Sequence, residues 1–138
     1  MRFFSTYVSM NFADAVAATK EALKRQKFSI LAEIDVYQVL RKQQLFADVR
    51  PYLILSACSL PLAHRAIKAD DAIGSLLLCD VAIQEHSDSC VEISVVDPAF
   101  TIGTINDIEM ISFAQELQSL VRKLMDDVES TTSLPRVA

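Results

Sequence analysis

An apolar stripe of Met110, Phe113, Leu117, Leu120, Val121, Leu124 and Val128 recurs at helical spacing near the end of the chain. A helix with so long an apolar face must lay it against a second layer of structure. A second helix is expected from Asn11, with Phe12, Ala15, Val16, Thr19, Ala22 and Leu23 on one face. Asn11 suits its amino-terminal cap and Asp14 its first turn, while Lys24 and Arg25 complement the dipole at its carboxyl end. Two amphipathic helices near the ends of the chain therefore need a shared partner, and the residues between them supply strands.

Residues Arg2 to Met10 are aromatic and β-branched enough to read as a first strand. Phe28 to Val36 alternates, with Phe28, Ile30, Ala32, Ile34 and Val36 on one face and Ser29, Leu31, Glu33 and Asp35 on the other. Tyr37 to Phe46 loses the alternation and reads as a short helix ending in a loop. Pro51 bounds a strand over Tyr52 to Cys58, and Pro61 suits the first turn of a short helix reaching about Ala69. Asp70, Asp71 and Gly74 mark a turn. Leu76 to Gln84 and Cys90 to Val96 read as strands joined by the polar loop Glu85-His86-Ser87-Asp88-Ser89, which makes His86 a solvated loop residue. Asp97-Pro98 ends the second of these strands, and a loop through Gly103 leads to Asn106, which with Glu109 resembles a capping box. Clustered strands between two long helices predict an α+β fold, a mainly antiparallel sheet with both long helices on one face. The expected organisation is one domain over residues 1–129 and a flexible tail over 130–138.

Composition narrows the function. The chain has 138 residues, 51% of them apolar and 22% charged, with a formal net charge of −5. Its basic clusters, Lys24, Arg25 and Lys27, then Arg41 and Lys42, alternate with acidic residues, so neither a nucleic-acid backbone nor an anionic membrane surface is an expected partner. No run approaches the roughly 20 apolar residues of a membrane helix. The start of the chain lacks the apolar core of a signal peptide, and three cysteines, an odd count, suit reduced thiols, so the expected location is the cytoplasm. A mean hydropathy of +0.28 points to apolar surface covered by a second subunit, and a homodimer is expected. Only Gly74 and Gly103 are glycines, which leaves no phosphate-binding loop; a nucleophile elbow and a CxxC pair are also absent.

The candidate chemistry rests on few residues. Cys58 ends one strand, His64 follows in the next helix, and Cys79 lies in a later strand. Two thiolates and an imidazole suit a soft metal such as Cu(I) or Zn(II), with Cys58 and Cys79 as the metal ligands. Free cysteines also pack as small apolar residues, and that reading stands beside the first. Either way, Cys58 and Cys79 are expected close together and Cys90 apart. Glu33 and Asp35 form a second candidate, paired carboxylates on a strand surface that suit acid–base work, a cation, or plain solvation.

Three stretches resemble a known family: Phe28-Ser29-Ile30-Leu31-Ala32-Glu33-Ile34-Asp35-Val36, then Tyr52 to Cys58 continuing through Leu62-Ala63-His64-Arg65-Ala66, then Ile73-Gly74-Ser75-Leu76-Leu77-Leu78-Cys79-Asp80-Val81. In this order they are similar to the bacterial and archaeal domains of unknown function numbered 302, over about Tyr7 to Leu124. The resemblance implies a fold similar to that of the TATA-binding protein, often a homodimer, and no established activity. Glu33, Asp35, Cys58 and Cys79 match the family pattern. Ser59 and Leu60 stand where the family has Asn-Pro, Leu78 where it has Pro, Asp80 where it has Asn, and Lys27 where it has Gly. Three functions follow as expectations: a module binding a small ligand, soft metal or sulfur species through the cysteine pair; a dimeric interaction or structural domain; and an enzyme with Cys58 as nucleophile and Glu33 or His64 as base. No cofactor is identifiable.

Overall fold

The structure, a computed structural model, describes residues 3–44, 49–69, 78–101 and 108–132. Its elements are β1 (Phe3–Val8), α1 (Phe12–Arg25), β2 (Ser29–Asp35), α2 (Val36–Lys42), β3 (Tyr52–Cys58), α3 (Leu60–Ala69), β4 (Cys79–Ser87), β5 (Cys90–Val96), α4 (Pro98–Thr101) and α5 (Ile108–Thr132). The strands form one sheet in the order β1-β5-β4-β3-β2, with every neighbouring pair antiparallel. This is the α+β fold the sequence predicts.

Most described positions of the two apolar stripes are buried, and Phe12, Val16 and Leu120 pack against the core half-buried. Ala15, Thr19, Ala22 and Leu23 of α1 are buried, and Phe113, Ala114, Leu117, Val121, Leu124, Met125 and Val128 form the buried face of α5. They cover one sheet face built from Val8, Leu55, Ala57, Cys79, Val81, Ile83, Val91, Ile93 and Val95. Thr19 is the polar residue in the α1 stripe, and its hydroxyl is satisfied by donating to the carbonyl of Ala15 at 2.8 Å. Charge clamps fix the helices at their rims. Arg25 holds Asp127 at 2.7 Å and so ties α1 to α5; Arg65 holds Glu116 at 2.8 Å and ties α3 to α5.

The end of α1 has an unusual residue. Phe28 donates its amide to the carbonyl of Leu23 at 2.9 Å and Lys27 to that of Lys24 at 3.1 Å. This paired closure requires the left-handed region just past the helix, and Lys27 sits there at φ 67°. Lys27 is the position at which the resembling family carries glycine. Leu23 and Phe28, which flank the closure, are both buried.

Four features depart from the sequence reading. Leu31 is bulged out of β2, because Ile30 pairs with Ala57 and Ala32 with Ser56. The uniform alternation over Phe28 to Val36 is therefore corrected: Phe28 and Ile30 face the helices, but Ala32 and Ile34 face away, and Glu33 and Asp35 take over the helix side. The strand expected from Leu76 is described from Cys79 and continues to Ser87, so the hairpin turn shrinks to Asp88 and Ser89. Asp97 caps a short helix instead of merely ending a strand, accepting the amide of Ala99 at 2.9 Å with Pro98 as the first helical residue. α5 extends to Thr132, beyond Glu129. Phe46, the turn at Asp70, Asp71 and Gly74, the strand residues Leu76 and Leu77, Gly103, the cap at Asn106 and residues 133–138 lie outside the described residues.

Candidate functional site on the open face of the sheet

Cys58 and Cys79 lie on neighbouring strands at one end of the sheet. Cys79 pairs across the strands with Ala57, so Cys58 stands one residue past its partner. Alternation turns the two side chains to opposite faces, and both are buried at 5% exposure. Burial pushes the Cys58 thiol up. Burial, then the charges of Cys58 and Asp80, push that of Cys79 up to about 12. Both effects hold the protonated thiol rather than the thiolate that metals and electrophiles require. Cys90 lies at the far end of the β4–β5 hairpin, opposite Ser87.

His64, Glu33 and Asp35 stand elsewhere. His64 is on the exposed side of α3, whose buried side carries Leu62, Ala63 and Ala66. Glu33 forms an ion pair with Lys20 of α1 at 2.7 Å, and Asp35 caps α2 by accepting the amide of Gln38 at 3.0 Å. Among the described residues, no three His, Cys, Asp or Glu side chains are grouped as a metal ion would need.

A different cluster occupies the opposite face of the sheet. Strand register sets Tyr7, Glu92, Gln84 and Tyr52 in one row across β1, β5, β4 and β3. Glu92 is its hub. Its carboxylate accepts from the Ser5 hydroxyl, from the Gln84 amide at 3.2 Å, and lies 2.9 Å from Nε2 of His86. The Ser5 and His86 hydrogen bonds, set against partial burial, hold this carboxyl below the usual range, and the Tyr7 hydroxyl adds to the effect. The His86 ring packs on Tyr7 with centroids 5.6 Å apart.

His86 reaches Glu92 because of a second bulge. Glu85 pairs with Val91 and Ser87 with Cys90, which leaves His86 as the extra residue in β4. Such insertions re-aim a side chain without ending the strand. The sequence reading placed His86 in a loop; the structure corrects this to a strand position with a carboxylate partner. Beside it lies a depression of about 330 Å³ lined by Val49, Arg50, Tyr52, Gln84, Glu85 and His86. Arg50 is fixed at its rim by Glu85 at 2.8 Å and Asp88 at 3.1 Å. Ser5, Tyr7, Gln84, Arg50 and Glu92 carried no signal as single residues. The available clue was the polar outward row Gln84, Glu92 and Ser94, legible only with the register in hand.

The family model described as "Domain of unknown function DUF302" matches residues 4–128. The chain belongs to the DUF302 family. A crystal structure of an uncharacterized conserved DUF302 protein from Bacillus stearothermophilus is similar at TM-score 0.83 and 21% identity, covering 93% of this chain and 98% of that one. At that identity the likeness concerns the fold. No curated protein matches the chain. Among the described residues of this DUF302 domain, no helix is long and apolar enough to cross a membrane.

Proposed function

We propose that this DUF302 domain is a small-ligand-binding module whose site is the polar end of the open sheet face, with the ligand seated against His86, Gln84 and Tyr52 in the depression beside Arg50. The observation that carries the reading is the bulge that aims His86 at Glu92. An ionised carboxylate sharing donors from Ser5, Gln84 and His86 fixes the imidazole at the rim of a concavity, and fixed polar groups around a concave surface are what small-molecule recognition uses. The donors facing the depression, the Arg50 guanidinium, the Gln84 amide and the Tyr52 hydroxyl, favour a ligand that brings acceptor oxygens, such as a carboxylate.

Recognition fits this cluster better than covalent catalysis. The Ser5 hydroxyl donates to Glu92 rather than to His86, so it does not form the hydroxyl–imidazole pair of a His-activated nucleophile. The test is amide-shift mapping on ¹⁵N-labelled protein with a panel of small carboxylic acids as probes. Saturable shifts grouped at Val49 to Tyr52 and Gln84 to His86, and lost in His86→Ala, support the site. Saturable shifts grouped elsewhere, or unchanged in that variant, refute it.

A second reading keeps the cysteine pair as a soft-metal or sulfur site. It is favoured by the position of Cys58 next to the cross-strand partner of Cys79, and opposed by the opposite faces to which the two side chains turn and by the raised thiols. Titration with Zn(II) or Cu(I) followed by native mass spectrometry separates the readings: one bound equivalent lost in Cys58→Ser supports the cysteine site.

A further inference from the structure

The Arg50–Glu85 ion pair beside the depression uses only part of each partner. Nε and Nη2 of Arg50 both reach Oε1 of Glu85, at 3.0 and 2.8 Å, and Nη2 also reaches Asp88 at 3.1 Å. Among the described residues, Nη1 with its two N–H donors is left uncommitted, and so is Oε2 of Glu85. No described side-chain N or O atom is both buried and without a hydrogen bond. The second Glu85 oxygen is therefore open to solvent, although the side chain is only 16% exposed. Gln84 and His86 add two further acceptors. Glu92 is ionised and only accepts, so it takes Nε2–H of the neutral His86 ring and leaves the lone pair on Nδ1. Gln84 turns its amide nitrogen to the same carboxylate, which leaves its carbonyl oxygen. Charge runs the same way, since Glu85, Asp88 and Glu92 set three carboxylates around Arg50. A ligand bringing acceptor oxygens alone would satisfy Nη1 and leave these acceptors unpaired, which costs affinity.

We infer that the ligand is an amino-carboxylate, an α-amino acid or a molecule built like one; this rests on the binding-site reading above and narrows it. Its carboxylate pairs with Nη1 of Arg50, and its ammonium donates among Glu85, Gln84 and His86. The ion pair itself selects the α-amino arrangement. Arg50 and Glu85 touch at 2.8 Å, so the protein's opposite charges stand side by side. The ligand's opposite charges must stand side by side as well, as on one α-carbon, and not at the two ends of a chain. Val49 and the Tyr52 ring supply an apolar wall for its side chain. A depression of about 330 Å³ lies at the small end of ligand pockets, which run from roughly 300 to 1,000 Å³, and suits a single amino acid rather than a peptide.

Matched probes test the inference by amide-shift mapping on the ¹⁵N-labelled full chain at neutral pH: L-phenylalanine, hydrocinnamate, which lacks the ammonium, and phenethylamine, which lacks the carboxylate. L-Phenylalanine is expected to shift Val49 to Tyr52 and Gln84 to His86 with an affinity at least about tenfold above either analogue, since each analogue loses one charge-assisted contact. Glu85→Gln is expected to erase the advantage over hydrocinnamate, and Arg50→Gln the advantage over phenethylamine, both with the wild-type circular dichroism spectrum. If hydrocinnamate binds at these amides as tightly as L-phenylalanine, the inference falls and the binding site stands. Phenethylamine binding there as tightly as L-phenylalanine overturns the inference by removing the Arg50 contact. An advantage that survives both variants overturns it too, because the charges then find their partners elsewhere. Shifts absent from these amides with every probe overturn the site and the inference together.

Discussion

Lys27→Gly is expected to stabilise the domain. Lys27 holds φ 67°, a region that costs a residue with a Cβ roughly 1–2 kcal/mol and costs glycine almost nothing. Glycine also loosens the unfolded chain, which takes back about 0.4–1 kcal/mol. The strain relief wins, and the net gain is about 0.5–1 kcal/mol. With an unfolding entropy of about 2.1 cal/mol/K per residue over this chain, the shift in Tm is roughly 2–3.5 °C upward. The assay is differential scanning calorimetry at one protein concentration. Lys27→Ala is the control, because it removes the charged side chain but keeps the Cβ, and it is expected within about 0.5 kcal/mol of wild type. A Tm for Lys27→Gly at or below wild type, or an equal rise in Lys27→Ala, refutes the argument that the backbone conformation carries the effect.

Four further outcomes are expected. At pH 8, with its thiol near 12, Cys79 exposes about one thiolate in ten thousand, so iodoacetamide should label it in the native protein far more slowly than in urea, as peptide mass mapping would show. The same raised thiol is protonated in the folded state where the unfolded chain ionises, so stability should fall as pH rises through the window between about 9 and 12, and Cys79→Ala should flatten that limb in denaturant melts. Glu92 and Asp127 are held below their ordinary carboxyl values; their contribution is present above the unfolded value and lost as pH falls through the folded one, and Glu92→Gln should shallow the acid limb. Leu124→Ala empties a fully buried position on α5 and should cost about 2–5 kcal/mol in urea unfolding.

The helices and most strands were legible because their signals are local. Asn11 accepts the amide of Asp14 at 2.8 Å, as the cap reading requires, and Tyr52–Cys58 and Cys90–Val96 fall where their apolar runs place them. The two bulges were not legible. Phe28 to Val36 alternates perfectly on paper, and only pairing against β3 reveals that Leu31 is skipped; a helix rim that needs Glu33 beside Lys20 overrides the apolar face that Ile34 suggests. His86 was misplaced for the same reason. The polar run Glu85 to Ser89 reads as a loop, yet a tight turn at Asp88-Ser89, with Ser89 at φ 63°, lets the strand continue under it. The candidate site depends on that register, so no single residue in it announced itself. Asp97-Pro98 is ambiguous in sequence, since an acceptor side chain followed by proline opens a helix as readily as it closes a strand.

The extra residue at Leu31 decides what the two carboxylates of β2 can reach. With it, Glu33 and Asp35 lie on the helix side, where one pairs with Lys20 and the other caps α2. A strand that kept Leu31 in the ladder would instead turn Glu33 and Asp35 outward and bring Ala32 and Ile34 under the helices. Glu33 would then lose Lys20 and Asp35 would no longer cap α2, so the inserted residue is what lets this strand engage both helices.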